Sequence, residues 1–93
     1  MTKIYELTTR YDARKSFYSK AIIIEDKDSI TLYSYETPVA RIKNEVFEIN
    51  SNISGELLYS NTTLRHIKEF YRQFVEYKED LHKSDFYALE TSF

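Results

Sequence analysis

Cations interleaved with aromatic rings are the first chemistry this chain offers. Arg10-Tyr11-Asp12-Ala13-Arg14-Lys15-Ser16-Phe17-Tyr18 sets three basic side chains among three rings within nine residues. Single-stranded nucleic acid is held by that combination, with cations tracking phosphates and rings stacking on bases. Arg10, Tyr11, Arg14 and Lys15 are therefore candidate partner-binding residues. The same segment also reads as a solvated loop whose Phe17 and Tyr18 plug into a core. Further along, Thr31, Tyr33 and Tyr35 alternate with Ile30, Leu32 and Ser34. In a strand this puts the aliphatic side on the core and a Thr-Tyr-Tyr stripe on the opposite face, which makes Tyr33 and Tyr35 candidates as well. A third candidate pair, Arg65 and His66, stands at the start of a helix, where anions are favoured.

Catalytic and metal chemistry find little support. His66 and His82 have no accompanying ligands at a zinc spacing, and zinc needs three or four convergent ligands. His66 is expected as a neutral hydrogen-bonding group on the helix surface. One glycine cannot build a phosphate-cradling loop. The fifteen acids single out no acid–base pair. The expectation is a protein that is not an enzyme, with no cofactor and no metal.

The elements that must position these residues follow from periodicity. Ile4 and Leu7 suggest a short extended start, and residues 10–17 read as a loop. Residues 18–25 hold three consecutive isoleucines, which pack well on a pleated surface. A polar turn at 26–29 leads into a second strand at 30–35. Thr37-Pro38 interrupts the pattern, since proline removes a ladder donor. Strands at 39–43 and 46–49 follow, with a polar loop at 50–55. Leu64, Ile67, Phe70, Tyr71, Phe74 and Tyr77 recur every three or four residues, which predicts a helix over 61–79. Ser60 to Thr63 supply its N-cap. Arg65–Glu69 and Arg72–Glu76 form i,i+4 pairs on its wet face. A second, short helix is expected over 84–90. The fold class is α+β, a single domain over 1–93: an antiparallel β-meander of about four strands, 18–49, against one long helix in the C-terminal half.

Composition agrees with a folded binding domain. The chain is 42% apolar and 30% charged, too rich in aromatic and β-branched residues for disorder. Nine Tyr and six Phe exceed what one thin core requires, and tyrosine suits interfaces. A net charge of −2 excludes a generic polyanion binder. The first twenty residues are nonetheless basic, and 21–60 acidic. There is no cysteine, so no disulfide or thiolate site. The start, Met1-Thr2-Lys3-Ile4-Tyr5-Glu6, has no apolar signal region, and the longest apolar run, 21–24, is far short of a membrane span of about 20 residues. A cytoplasmic protein that avoids the membrane is expected.

Two blocks carry a resemblance. Leu32-Tyr33-Ser34-Tyr35-Glu36-Thr37-Pro38-Val39, then Ser60-Asn61-Thr62-Thr63-Leu64-Arg65-His66-Ile67-Lys68-Glu69-Phe70, resemble a family of small proteins from phages, plasmids and other mobile elements of Gram-positive bacteria. Their shared pattern is similar to LYSYxTPV followed by SxTTxRHIxEF. The polar loop 50–55 departs from it, where the family often has a Trp-containing stretch, and so does the length of the tail beyond Val75. The resemblance implies a mobile-element accessory protein in the cytoplasm of a bacterial host and no particular activity. By analogy with small phage inhibitors such as anti-CRISPR proteins, the partner would be a host protein, with a defence nuclease as target class. Single-stranded nucleic acid bound by 10–20 is the alternative, and a homo-oligomer paired through a tyrosine face is a third reading.

Overall fold

A computed structural model describes residues 2–93. It has the order β1 (Lys3–Glu6), β2 (Ala21–Glu25), β3 (Ser29–Ser34), β4 (Thr37–Lys43), β5 (Val46–Asn50), α1 (Gly55–Leu58), α2 (Asn61–Phe74), α3 (Ser84–Tyr87) and β6 (Glu90–Thr91). The class is α+β, and the sheet has six strands rather than about four, in sequence order from β1 to β6. The extended start becomes β1, antiparallel to β2 with Tyr5 opposite Ile23. The added strand at the other edge, β6, runs parallel to β5, so the sheet is not wholly antiparallel. Two residues leave almost no hydrophobic period to read, which is why β6 has no sequence signature.

Alternation along β2 and β3 sorts the side chains by face. Ala21, Ile23, Leu32 and Ser34 are buried under the helices, while Ile22, Ile24, Thr31 and Tyr33 stand half-buried on the other side. Pro38 does not interrupt the strand. It lies within β4, opposite Tyr33, where the register shifts. Such a bulge tolerates proline because a ladder bond is already missing there. The extra residue lets Val39 and Ala40 both face the core.

Helix α2 closes that core with Ile67 and Phe70 fully buried. Phe47 of β5 packs against Phe70, Tyr71 and Phe86, with ring centroids 5.9, 5.2 and 6.1 Å apart. This aromatic cluster joins sheet, α2 and α3. The Ser60 side chain caps α2 by accepting from the N–H of Thr63. The helix stops at Phe74, short of the expected 79, and Tyr77 lies outside it and exposed. Its exposed i,i+4 pairs do not form. Arg72 donates instead to the carbonyls of Lys78 (2.7 Å) and Glu79 (2.9 Å), and folds the chain back after the helix. The last strand is fixed by Tyr59, whose hydroxyl donates to Glu90 at 2.6 Å. Burial and that carboxylate push the Tyr59 phenol upward, so it keeps the proton it donates.

Three turns place two consecutive residues at positive φ: Tyr18–Ser19, Tyr35–Glu36 and Asn44–Glu45. The last two are two-residue hairpin connections, β3 to β4 and β4 to β5, where left-handed pairs match the strand twist. Glycine would take these positions without strain, yet none occupies them. Glu45→Gly should therefore raise stability by about 0.5–1 kcal/mol, the relief of left-handed strain less the entropy of the freer unfolded chain. Thermal melting should rise by about 2–8 °C. An unchanged or lower midpoint would contradict this.

Candidate functional site

Residues 7–17 have no regular secondary structure, so side chains of α2 decide where they lie. Glu69 is 1% exposed, and its carboxylate accepts the backbone N–H groups of Arg10 (3.2 Å), Tyr11 (3.0 Å) and Asp12 (2.8 Å). Gln73 donates both to Glu69 and to the Thr8 carbonyl, the latter at 2.7 Å. A buried carboxylate is tolerated only with such partners, and hydrogen bonds to a charged acceptor are the stronger kind. The expected Arg65–Glu69 surface pair is thus replaced. Glu69 turns inward to the loop, and Arg65 pairs with Asp12 through Nη1 and Oδ1 at 3.0 Å. Asp12 also accepts the N–H of Arg14 at 2.8 Å. Tyr11 then meets Tyr77 in a tilted ring pair, with centroids 4.9 Å apart.

Between this loop, α2 and residues 79–81 lies a polar groove of about 590 Å³. Its lining includes Arg14, Arg65, Lys68 and Arg72 together with Asp12 and Glu79. Four cations facing two acids make a locally positive site on a chain of net charge −2. Arg65, Lys68 and Arg72 recur every three or four residues, so they form one stripe along α2. The arrangement can hold an anionic group by charge and hydrogen bonding.

His66 is elsewhere. It is 1% exposed, not a surface group, and its Nδ1 is 2.8 Å from Ser34 Oγ, which is 3.2 Å from Thr63 Oγ1. The ring meets Phe17 edge-on at 4.5 Å and Tyr35 at 5.9 Å. Among the described residues, Nε2 has no hydrogen-bond partner. Burial pulls the imidazole pKa down to about 4; Asp12 opposes this and Arg14 adds to it. Near neutral pH the ring is uncharged, so it does not join Arg65 in binding an anion.

The groove brings together Tyr11, Arg14 and Arg65 of the residues picked from sequence. Arg10 and Lys15 are exposed on the same loop but do not line it. The expected tyrosine stripe is broken. Tyr33 stays on the open sheet face, whereas Tyr35 enters the left-handed turn and leans over His66. Asp12, Lys68, Glu69 and Arg72 belong to the site with no motif in the sequence that singles them out.

Among the described residues, no group of three or more His, Asp or Glu is placed to hold a metal ion. None of their helices is long and apolar enough to cross a membrane. The chain belongs to a family of unknown function, DUF8033, whose model matches residues 5–88. No curated protein and no solved structure matches it.

Two outcomes follow from the buried groups. Glu69→Ala leaves three backbone donors without their acceptor and should cost about 3–5 kcal/mol in denaturant unfolding. Amide exchange at residues 10–12 should lose its protection; intact protection there would show that the loop is held some other way. His66 binds its proton more weakly folded than unfolded, so its effect on stability is nil above pH 6.5 and grows as pH falls toward 4. The loss should approach about 3 kcal/mol, from 1.36 kcal/mol per unit. Between pH 6.5 and 5, His66→Gln should flatten the dependence, and an equally steep variant would refute the assignment.

Proposed function

We propose that this chain is a non-catalytic accessory protein of a phage or other mobile element, acting by stoichiometric binding to a host protein. The observation that carries the binding reading is the groove lined by Arg14 of the loop and by Arg65, Lys68 and Arg72 of α2. Its chemistry suits an acidic segment on the partner's surface. The mobile-element context and the target class, a host defence nuclease, are supported by the resemblance of the two blocks at 32–39 and 60–70, and by analogy with small inhibitors of that kind.

Size favours a protein partner over nucleic acid. From Arg65 to Arg72 the stripe covers seven helical steps, about 10 Å at 1.5 Å each. That reaches about two phosphates, whereas nucleic-acid affinity is built from many released counterions, each phosphate adding roughly 0.7 to the salt slope for single strands. The second reading, a single-stranded nucleic-acid binder, is favoured by one feature. The Tyr11–Tyr77 pair places rings beside those cations.

The test is capture and inhibition with a panel of purified Cas and restriction nucleases. Binding to one of them, weakened about tenfold or more by Lys68→Glu, is the expected result. Inhibition of none would refute the target class. A gel shift with single-stranded DNA at low salt, steeply lost as salt rises, would move the assignment to the second reading.

A further inference from the structure

We infer that the partner's segment carries one bulky apolar anchor about three to five residues from its acidic residues, and that this anchor seats in a second cavity beside the groove. The inference rests on the groove reading. The cavity, of about 350 Å³, lies between the β3–β4 turn, α1 and the first turn of α2. Val39, Ile53 and Leu57 supply apolar walls, and Tyr35 stands at its mouth.

Two of its hydroxyls are already engaged with each other. Ser34 Oγ and Thr63 Oγ1 already face one another, and Ser34 is further engaged with His66. A charged group would lose its water there and meet no opposite charge in the lining. An aliphatic or aromatic side chain needs no hydrogen-bond partner and covers apolar surface. Leu57 is 63% exposed and Tyr35 52% exposed, so both are open for a partner to bury.

One partner reaches both cavities because they share a ridge. Asn61, Leu64 and Arg65 line the groove, and Ser60, Thr62 and Thr63 line the cavity. The first turn of α2 is thus a wall with a concavity on each flank. A helix with its side chains is about 10 Å across or slightly more, and an extended peptide advances about 3.3 Å per residue. Three to five residues therefore bridge the wall. The positive charge of the groove fixes which end of the segment is acidic. Both sequence blocks singled out above contribute to the cavity: Ser34, Tyr35, Thr37 and Val39 from one, Ser60, Thr62 and Thr63 from the other.

The experiment is selection of random displayed peptides, long enough to span both cavities, on the immobilised full chain. Enriched peptides should pair Leu, Ile, Phe or Tyr with Asp or Glu at that spacing. A labelled selected peptide should lose about tenfold in affinity on Leu57→Ser, a change at an exposed position, and separately on Lys68→Glu. Acidic enrichment without an anchor, or indifference to Leu57→Ser, would overturn the inference and leave the groove reading standing. Apolar enrichment without acids, or no enrichment, would overturn both.

Discussion

The carboxylate of Glu69 lies in the interior, on a helix, opposite a stretch of chain with no ladder of its own. Its oxygens accept the N–H groups of residues 10–12, doing for that loop what a neighbouring strand does elsewhere. Exchanging water for three backbone donors keeps a buried charge tolerable, and the same exchange gives the loop one position. Everything on that side of α2 follows. Asp12 is presented to Arg65, Tyr11 to Tyr77, and the basic stripe of the helix gains a facing wall. Without Glu69 the cations would still exist, but as a solvated helix face rather than a groove.

How much of this could be read from the residues depends on the range of the interaction. The strands at 18–49 and the helix core at Ile67 and Phe70 are local patterns of period two and 3.6, and they are where expected apart from their ends. The strand at 30–35 showed its inward side correctly at Leu32 and Ser34. It misplaced Tyr35, because a left-handed pair without glycine gives no turn signal in the sequence. Glu69 and His66 look like surface groups in the sequence because their partners lie far away along the chain, and a polar residue on a helix is by default solvated. The parallel pairing of β6 depends on where α3 delivers the chain, which no short window contains.

The candidate site was legible in kind more than in arrangement. Cations and rings at 10–18 and at 65–66 were visible as two segments, and the fold brings Tyr11, Arg14 and Arg65 into one concavity. Lys68 and Arg72 were visible as helix charges, but only the loop opposite makes them convergent. His66 does not line the groove because the core, and not the solvent, surrounds its ring. Tyr33 remains on the sheet face opposite the helices, apart from both concavities.

The bonds from Glu69 to residues 10–12 join positions 57 to 59 apart in sequence, whereas β2 to β5 pair through short hairpins. Closing a long segment costs entropy before any contact rewards it. The groove wall therefore costs more chain entropy to close than the meander does. In the native state a loop held by a few bonds at one carboxylate opens at lower free energy than the aromatic core. A ligand bridging the loop and α2 would stabilise the closed form by mass action. Occupancy of the groove and local folding of residues 8–15 are then one equilibrium, observed from two sides.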